Sequence, residues 1–374
     1  MGSFVSRADS DLRFMRKALR EALRGSGTAS PNPRVGAVIV SQEKILSKGY
    51  HQAFGALHAE AECLRKLPEG TARGATLYVN LEPCCHQGKT PPCTEAIILS
   101  GIRRVVYGLR DPNPLINGKG LRSLKAAGIE IAGPVLEAEA REINRGYLKY
   151  RREAKPWVTL KWAQSLDGRI AASGGNARWI SGAESLKLAH RLRAEHDAVL
   201  VGINTILTDN PQLTVRHVRG PNPRRVILDA QLRLRPDAAI FEAGKAPILV
   251  ATRPYPPAQN AARLEKAGAE LIWIPQIGKD ELDLNTLLDE LAGRGILYLL
   301  VEGGSQVQAS FVRQKLFDEI ILVQAPLFLG GDGVPAIGAL GVTKVAEGTD
   351  LSVKKFDFFG KDIALWLKPV AQKA

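Results

Sequence analysis

Residues 80–94 read NLEPCCHQGKTPPCT, and this stretch holds three of the four cysteines in a chain of 374 residues. Upstream, HAEAEC (58–63) begins with a histidine. A catalytic zinc site takes three ligands from His and Cys side chains in tetrahedral geometry and keeps its fourth position for water. His58, Cys84 and Cys93 can supply that set, so the two stretches together predict a zinc site.

Glu60 gives the predicted zinc site a catalytic character. His-x-Glu followed by Pro-Cys and a further cysteine is the signature of zinc deaminases, although eight residues instead of two separate Cys84 from Cys93. A glutamate two positions from the ligating histidine lies near the metal without binding it, and it can carry a proton from water to a leaving amine. Bound zinc lowers the pKa of its water towards ~7, so a nucleophile is available at neutral pH.

Structural alternatives stay open at this point. Cys84 and Cys85 are adjacent and cannot easily both reach one metal, so one of them is spare. Cys63 is expected to be a buried helix cysteine. A purely structural zinc site takes four protein ligands, and His86 is the candidate for the fourth. We favour catalytic zinc because Glu60 has no role in a structural site.

Composition and charge are typical of a globular protein with two domains. The chain is 45% hydrophobic and 24% charged, which excludes wholesale disorder, and single cores stop growing near ~250 to 300 residues. The net charge of +13 is spread, with 22 basic and 14 acidic residues up to position 150 and 29 and 24 after it. We therefore expect a surface suited to small phosphorylated substrates rather than to nucleic acid. With no apolar run near the ~20 residues of a membrane span and no secretory signal, we expect a cytoplasmic protein with reduced cysteines.

The order of the predicted elements indicates two α/β domains. In the first half we predict a helix over 10–25, a strand pair at VGAVIV and KILSKGYH, and a helix from His58. Strand, helix and strand then follow at ATLYVNLEPC, TEAIILSG and RRVVYGLRDPNP, which predicts a three-layer α/β domain over 1–148. NRGYLKYRREAKP is polar and has no apolar period, so we predict a linker at 149–156 and a second α/β domain over 157–374.

On its own, the second half is predicted only as a nucleotide-binding type of α/β domain. After WVTLKWAQSLDGRIA, strands are predicted at HDAVLVG, RRVILD, APILVA, LIWIP, LYLLVEGG and EIILVQAPLFLGG. No GxGxxG follows a strand and no GxxxxGK[ST] is present, and we interpret GKGLRSL (118–124) as a turn or helix entry. In VEGGSQVQASF a buried strand meets a glycine pair and a helix start, which lets a phosphate approach backbone amides. The alternative is a tight strand-to-helix turn.

Three stretches of the first half carry a family resemblance. SPNPRVGAVIV, HAEAEC and LEPCCHQGKTPPCTEAII resemble, almost position for position, the deaminase half of the bifunctional RibD family of riboflavin-biosynthesis enzymes. The resemblance extends over the whole chain. It implies a cytidine-deaminase-like α/β/α sandwich in which Cys84, and not Cys85, joins His58 and Cys93 as a zinc ligand.

The same resemblance implies a pyrimidine pocket next to the zinc. Its lining side chains would be Asn32, Asn80 and His86. Lys89 and His86, in the HQGKTPP insert, are hypothesised to face a substrate phosphate. Leu57 departs from the family pattern, which usually has proline before the histidine, and this leaves the ligands untouched.

Four stretches of the second half resemble the reductase half of the family, which has a dihydrofolate-reductase-like fold and uses NADPH. They are LKWAQSLDGRIA, ARWISG, GINTILTDNPQLTVR and VEGGSQVQASF. The resemblance implies cofactor contacts at Ala163, Trp179, Thr205, Asp209, Gly304, Ser305, Gln306, Val307, Gln308, Ala309 and Ser310. It implies substrate contacts at Ala177, Arg193, Leu213, Arg216 and Glu302. Ala177 and Ala230 stand where some members have serine, and each loses a hydroxyl hydrogen bond worth about 0.5 to 1.5 kcal/mol.

The resemblance implies two successive reactions. The first domain would deaminate 2,5-diamino-6-(5-phosphoribosylamino)pyrimidin-4(3H)-one to 5-amino-6-(5-phosphoribosylamino)uracil. The second would use NADPH to reduce the ribosyl group of that product to ribityl. We therefore expect one Zn²⁺ per chain, NADPH, a small phosphorylated pyrimidine substrate, no nucleic-acid or membrane partner, and a homo-oligomer whose size the sequence does not give.

Three other functions are alternatives to a bifunctional deaminase and reductase. The first is a nucleoside or nucleic-acid deaminase with an accessory nucleotide-binding domain, which would act on cytidine, adenosine or tRNA without NADPH. The second is a reductase with an inactive deaminase half, against which the intact His58, Glu60, Cys84 and Cys93 argue. The third is a binding module with structural zinc, in which replacing Glu60 by Gln would change nothing.

Overall fold

The computed structural model describes residues 6–87, 91–242, 246–278 and 281–370. The chain divides into two units, with the division between Ala154 and Lys155. Among the described residues, no helix has both the length and the apolar character to cross a membrane.

The first unit folds as one mixed sheet with helices on both faces. Its described helices are α1 (Arg7–Ala22), α2 (Ala59–Arg65), α3 (Cys93–Leu99), α4 (Lys119–Ala126), α5 (Glu137–Ile143) and α6 (Arg145–Glu153). Its described strands are β1 (Gly36–Ser41), β2 (Lys44–Tyr50), β3 (Thr76–Val79), β4 (Arg104–Tyr107) and β5 (Glu130–Ala132). The strand order is β2, β1, β3, β4, β5, with β1 antiparallel to both neighbours and β3 to β5 parallel. The helices and strands predicted for the first half are confirmed.

The alternation of side chains along β1 explains the three layers. Ala37 and Ile39 face a core that also contains residues of α2, α3 and α4, whereas Val38 and Val40 face a second core with α1. Successive side chains of a strand point to opposite faces, so a strand that is apolar throughout is buried on both. At Gly36 the helix comes so close that a Cβ would overlap the carbonyl oxygen of Ala18. Glycine therefore permits the packing of α1 on this sheet.

A buried ion pair fixes α1 against the sheet. Arg104 on β4 donates two hydrogen bonds of 2.7 Å to the carboxylate of Asp11 on α1, and Tyr78 on β3 donates a third at 2.9 Å. Burial alone would raise the pKa of Asp11, but the bonds from Arg104 and Tyr78 outweigh it and leave that pKa below its usual value. The pair is therefore charged at neutral pH.

The predicted linker at 149–156 is helical over most of its length. Helix α6 runs through Glu153, and Ala154 ends it in the left-handed conformation with a φ of 56°. The helix belongs to the first unit because buried Tyr147 donates a hydrogen bond of 3.0 Å to Asp111. The linker prediction named no conformation for this segment, and the division between the two units lies within it.

The second unit is built on a nine-stranded sheet. Its described helices are α7 (Ala183–Glu195), α8 (Ile203–Asp209), α9 (Ala239–Glu242), α10 (Ala258–Lys266), α11 (Leu284–Gly293) and α12 (Ser305–Arg313). Its described strands are β6 (Trp157–Gln164), β7 (Arg169–Ala171), β8 (Ala198–Gly202), β9 (Arg224–Leu228), β10 (Ile248–Thr252), β11 (Ala269–Trp273), β12 (Tyr298–Val301), β13 (Glu319–Gln324), β14 (Val334–Pro335), β15 (Leu351–Phe359) and β16 (Asp362–Pro369). The large sheet has the order β11, β10, β9, β8, β12, β6, β13, β16, β15, while β7 and β14 pair separately.

Parallel pairing brings several loops to one edge of this sheet. Strands β8, β9 and β12 all run parallel, so the turns that follow them meet at the carboxyl edge. Helix α8 starts directly after β8, and α12 starts after β12. The strands predicted for the second half are confirmed, whereas the antiparallel hairpin of β15 and β16 was not predicted.

Candidate functional site

The three predicted zinc ligands converge in the first unit. His58 is the residue before α2, Cys93 is the first residue of α3, and Cys84 lies in the loop after β3. The Nδ1 atom of His58 lies 3.2 Å from Sγ of Cys93 and 3.4 Å from Sγ of Cys84. In the part of the chain that the structure describes, this is the one group of His, Cys, Asp and Glu side chains that could hold a metal ion.

The geometry of these three atoms fits zinc. Tetrahedral bonds of about 2.3 Å to sulfur and about 2.1 Å to nitrogen place the nitrogen and a sulfur about 3.5 Å apart. The observed separations of 3.2 and 3.4 Å are close to that value. The side chains thus present one nitrogen and two sulfur donors to a common point, which is the donor set of a catalytic zinc site.

The structure does not support a four-ligand site. His86 and Cys85 are both outside the metal-binding group. The thiol of Cys85 points elsewhere, with its Sγ 4.0 Å from the carbonyl oxygen of Leu115. His86 lines the neighbouring cavity, and its buried Nδ1 has no hydrogen-bond partner among the residues that the structure describes. That nitrogen is available to a ligand.

The electrostatics of the cluster favour a thiolate at Cys84. A hydrogen bond from the Cys93 thiol lowers the pKa of Cys84 to about 4 against the opposing effect of burial, and His58 lowers it further. The pKa of Cys93 is raised because its thiol donates that bond. Zinc binds cysteine as the thiolate, so Cys84 is prepared for ligation.

Glu60 lies on the first turn of α2, beside the ligands. Its side chain lines a cavity of 360 Å³ together with His58 and Cys84. Burial raises the pKa of Glu60 to about 7, and the nearby charge of Cys84 adds to this effect. A carboxyl group with such a pKa can both accept and release a proton near neutral pH.

One wall of this cavity is formed by Asn32 and by His51, a residue that the sequence analysis missed. The Nδ2 group of Asn32 lies 3.0 Å from Nε2 of His51, whose Nδ1 lies 3.0 Å from the carbonyl oxygen of Leu57. Burial lowers the pKa of His51, so its ring is neutral, donates to Leu57 and accepts from Asn32. The amide orientation of Asn32 is thereby fixed. The contact joins residues 19 positions apart, so only the position of His51 at the end of a predicted strand could have suggested it.

Asn80 does not line the cavity, although the resemblance placed it in the pocket. Its side chain is fully buried, accepts a hydrogen bond of 2.8 Å from the backbone N–H of Gly36 and donates one of 3.0 Å to the carbonyl oxygen of Arg34. Both ends of the amide are therefore occupied by the loop that carries Asn32. Lys89, the other residue of the phosphate hypothesis, lies outside the described residues.

Glu82 holds the ligand-bearing loop in place. Its two carboxylate oxygens accept hydrogen bonds of 2.9 to 3.3 Å from four backbone N–H groups, those of Asp111, Gly118, Gly120 and Leu121. Three of these donors lie at the start of α4, so the glycines of GKGLRSL serve a helix entry, as predicted. At Gly120 a Cβ would overlap the carbonyl oxygen of Pro83, the residue before Cys84.

The second unit contains a cavity of 1210 Å³ at the carboxyl edge of its sheet. The predicted residues that line it are Ala177, Thr205, Asp209, Gly304, Ser305, Gln306, Val307 and Ser310, and Ala230 lines it as well. A Cβ at Gly303 would lie 2.5 Å from that of Val307, whereas the nearest atom to a Cβ at Gly304 is Oγ1 of Thr205 at 3.8 Å. Gly303 thus allows α12 to pack closely, and Gly304 leaves room for a ligand at the start of the helix. This open helix start and the buried Ser305 hydroxyl, which has no partner within the described part of the chain, fit a phosphate group.

Four residues predicted to contact the cofactor do not line the cavity. Ala163 packs against a core cluster, Ala309 is fully buried, and Trp179 is 74% exposed. The amide of Gln308 is turned into the protein, where it donates to the carbonyl oxygens of Lys161, Val301 and Gly303. Three of these residues therefore support the cavity wall from inside the protein: Ala163, Gln308 and Ala309.

Three of the predicted substrate residues form a hydrogen-bonded network. Arg193 on α7 donates from Nε and Nη2 to Oε2 of Glu302 at 2.8 and 2.7 Å, and from Nη1 to the carbonyl oxygen of Thr214 at 3.2 Å. Arg216 donates from Nη1 to Oγ1 of Thr214 at 2.8 Å. None of these residues lines the large cavity. Leu213 precedes this segment, buried and with a φ of 55°.

Two further members of this network were missed by the sequence analysis. The backbone N–H of Arg216 donates to Nδ1 of His190 at 3.0 Å. Lys161 is an ion-pair partner of Glu302, with its Nζ 3.8 Å from Oε1. Burial lowers the pKa of Lys161 despite this partner. Lys161 lies in a predicted strand, whereas His190 lies in α7, a helix that was not predicted, and nothing in their local sequence distinguishes them from core or surface side chains.

Comparison with known protein families matches both units. The family model described as the cytidine and deoxycytidylate deaminase zinc-binding region matches residues 8–109. The model of the RibD C-terminal domain matches residues 156–365. The predicted fold class, a deaminase-like domain followed by a reductase domain of this family, is confirmed.

Individual relatives match along almost the whole chain. The riboflavin biosynthesis protein RibD of Aquifex aeolicus is 42% identical over 96% of this chain and 98% of its own length, and that of Escherichia coli is 36% identical over 96% and 99%. The solved structure of Acinetobacter baumannii RibD has a TM-score of 0.87 at 35% identity and covers 97% of this chain and 100% of that one. A Thermotoga maritima structure described as a diaminohydroxyphosphoribosylaminopyrimidine deaminase/5-amino-6-(5-phosphoribosylamino)uracil reductase has a TM-score of 0.84 at 34% identity, covering 98% and 100%.

Replacing Cys84 by Ser should remove bound zinc, whereas Cys85→Ser should not. Cys84 is one of three donors at a common point, and Cys85 is directed away from it. We expect the zinc content measured by atomic emission after dialysis to remain at about one ion per chain in wild type and C85S and to fall several-fold in C84S. Equal losses in the two variants would contradict this assignment of the ligand.

Proposed function

Since the chain belongs to the RibD family, the bifunctional zinc-dependent deaminases and NADPH-dependent reductases of riboflavin biosynthesis, we propose that each of its two units performs one of the two reactions. The unit that ends at Ala154 is the deaminase, and the unit that begins at Lys155 is the reductase. The substrates we propose are those named for the Thermotoga maritima relative, a diaminopyrimidine ribotide and the uracil ribotide made from it.

In the deaminase unit, His58, Cys84 and Cys93 would hold the zinc ion. When bound, zinc supplies the Lewis acidity that makes water nucleophilic at neutral pH. Glu60 takes a proton from the attacking water and delivers a proton to the exocyclic 2-amino group, which leaves as ammonia. Asn32, oriented by His51, and the free Nδ1 of His86 bind the pyrimidine ring.

The observation that carries this proposal is the convergence of the three ligands and Glu60 on one cavity. If the protein were a binding module with structural zinc, the buried carboxyl group of Glu60 beside a three-donor site would have no role. A nucleoside deaminase would need the same zinc site but gives no role to the second unit, whose family model is that of a reductase.

Replacing Glu60 by Gln should abolish deamination without loss of zinc. The amide keeps the size of the side chain but cannot move protons, so we expect ammonia release from the diaminopyrimidine ribotide to fall by about 10²- to 10⁴-fold. NADPH oxidation with substrate that has already been deaminated should be unchanged. Both activities and the zinc content are measured on the same samples.

Glu62→Gln is the matched control for this variant. Glu62 lies on the same turn of α2, but its carboxylate pairs with Arg65 and Lys66. We expect E62Q to retain deamination within about twofold, as is usual for substitutions away from a site. If E60Q kept wild-type ammonia release, Glu60 would not be the proton carrier.

In the reductase unit, the large cavity would hold NADPH with its pyrophosphate at the start of α12. Gly304 and Ser305 offer backbone amides and a hydroxyl group there, and Thr205 and Asp209 line the adjoining wall. When bound, NADPH would supply the hydride that reduces C1′ of the ring-opened ribosyl group. Arg193 and Arg216 bind the substrate phosphate, and Glu302 holds the Arg193 guanidinium in a fixed orientation.

Replacing Arg216 by Gln should raise KM for the uracil ribotide. The loss of a charged hydrogen-bond donor to phosphate weakens binding by about 10- to 100-fold, and kcat should change much less because the group is remote from C1′. Steady-state NADPH oxidation measures both constants. Arg219→Gln, at an exposed arginine in the same loop, is the control and should retain the wild-type KM. A fall in kcat at constant KM would contradict a phosphate-binding role.

We propose that the protein is a homo-oligomer that associates through the edge of the large sheet. Strand β15 is at the edge of the sheet formed by the described residues, and its side chains Val353, Phe356 and Phe358 are 57, 63 and 65% exposed. An edge strand offers unpaired backbone groups, which an identical strand can satisfy about a two-fold axis while covering such apolar side chains.

Light scattering should therefore give wild-type protein a mass at least twice the 40.5 kDa of one chain. The double variant Phe356→Lys, Phe358→Lys should dissociate, because like charges would face each other across the interface. A monomeric wild type would refute the proposal.

We also propose a cytoplasmic location, because zinc binding needs Cys84 and Cys93 as reduced thiolates. Cell fractionation tests this location.

A further inference from the structure

The roles proposed for the deaminase cavity leave the phosphate group of its substrate without a partner among the described residues. In the proposed substrate, the amino group that leaves is on C2 of the pyrimidine ring, whereas the phosphate is at the far end of the ribosyl group on C6. The ring has to reach His58, Cys84 and Glu60, which line the cavity of 360 Å³. A group that binds the phosphate is therefore expected on a part of the cavity wall away from these residues.

One face of helix α6 forms such a part of the wall. Tyr147, Tyr150 and Arg151 all line the cavity, and spacings of three and four residues put side chains on the same side of a helix. Tyr147 is buried, whereas Arg151 is exposed. This face of α6 therefore runs from the interior of the unit to solvent, and it places Arg151 at the mouth of the cavity.

Hydrogen bonds hold the guanidinium of Arg151 at this mouth. Its Nη2 donates a hydrogen bond of 2.7 Å to Oδ1 of Asn113, which also lines the cavity. Asn113 is held in turn by Asp111, whose Oδ1 accepts the backbone N–H of Asn113 at 2.8 Å and the hydroxyl of Tyr147 at 3.0 Å. The guanidinium has further N–H donors, which remain for a ligand in the cavity.

Arg151 supplies positive charge to a cavity that is otherwise rich in carboxyl groups. Glu60, Glu82 and Asp111 line this cavity, and of the described lining residues only Arg151 is an arginine or a lysine. Asp111 attracts the guanidinium, but burial raises the pKa of this carboxyl group, and two hydrogen bonds already occupy its Oδ1. A phosphate dianion that approached these carboxyl groups without a cation nearby would be repelled.

The neighbouring arginine shows how an ordinary surface side chain behaves at the end of this helix. Arg152 donates from Nε to Oε1 of Glu153 at 2.7 Å, and it does not line the cavity. Arg151 differs from it in both respects, because it faces the cavity and is bonded to a residue of the cavity wall. Its position thus favours a ligand-binding role over that of a solvated surface charge.

We propose that Arg151, held by Asn113, binds the phosphate group of the deaminase substrate and selects phosphorylated ribosylaminopyrimidines over their unphosphorylated counterparts. The inference rests on the proposed deaminase function of this cavity, and it names a residue that determines the substrate class. An arginine suits the group because its planar donors can bind two phosphate oxygens at once. At the mouth of the cavity the dianion also keeps contact with water, which avoids the cost of burying its charge.

The test compares ammonia release by the zinc-loaded full chain and its Arg151→Gln variant on two substrates, the diaminopyrimidine ribotide and the same compound without its phosphate group. R151Q should raise KM for the ribotide by about 10- to 100-fold, because charged hydrogen bonds to phosphate are lost. The kcat should stay within about threefold, since the phosphate is remote from C2. On the unphosphorylated compound, wild type and R151Q should have the same kcat/KM within about twofold.

Two further variants sharpen the result. Arg152→Gln is the matched control, because it removes one positive charge from the adjacent residue of the same helix without changing the cavity wall. R152Q should keep the wild-type constants for both substrates. Arg151→Lys keeps the charge but not the planar donors, so its KM for the ribotide should lie between those of wild type and R151Q. Thermal unfolding of the three variants separates a local loss from misfolding.

Equal losses on both substrates would show that Arg151 only supports the cavity wall through Asn113, and an unchanged KM for the ribotide would show that it does not bind the phosphate. Either result overturns the inference. If R152Q lost the preference for the ribotide as strongly as R151Q, the charge at the end of α6 would matter and the assignment to Arg151 would be wrong. If wild type released no ammonia from the ribotide, the proposed deaminase function itself would fail.

Discussion

The position of the predicted zinc ligands depends on one buried carboxylate, that of Glu82. Four backbone N–H groups would lie buried without a partner if this side chain were absent, and each such group costs about 1 to 3 kcal/mol. The loop after β3 is therefore fixed to the start of α4, where Gly120 allows the carbonyl of Pro83 to approach. Cys84 follows Pro83 directly, so the same contacts place its thiol against His58 and Cys93. A metal site assembled from three distant segments needs this kind of support, because each ligand must be in position before the ion binds.

Spacing along the chain was sufficient to predict which three side chains meet in a possible metal site, but not which residues support them. His58, Glu60, Cys84 and Cys93 belong to a recognisable pattern because the metal imposes both residue type and separation. Glu82 contacts residues 29 to 39 positions away and His51 contacts Asn32, 19 positions away, and local sequence carries no signal for such contacts. The hairpin of β15 and β16 was missed for another physical reason. A bulge between Val353 and Lys355 shifts the alternation of side chains by one residue, so the apolar residues of β15 do not follow a simple period of two.

Only some residues of the predicted cofactor motif at 304–310 line the cavity of the second unit. Residues 304–310 were all predicted to contact the cofactor, yet a helix presents only one face to a cavity. Gly304, Ser305, Gln306, Val307 and Ser310 line it, while Gln308 and Ala309 point to the opposite side. The amide of Gln308 satisfies carbonyl oxygens of β6, β12 and the glycine turn, so this residue supports the site by fixing the start of α12. A shared motif therefore combines contact residues with residues that hold the contact residues in place.

The proposed phosphate site of the second unit contains two arginines and a buried carboxylate. Arg193 and Arg216 lie near each other with Glu302 as the principal carboxylate, and burial together with the charge of Arg193 lowers the pKa of Arg216. The same charges, after burial, lower the pKa of His190 to about 4 and keep its ring neutral, so that Nδ1 can accept the backbone N–H of Arg216. Burial is the larger cause of both lowered pKa values, and the neighbouring positive charges add to it. We propose that a phosphate dianion binds at these groups, whereas a polynucleotide would need cations spread along a surface.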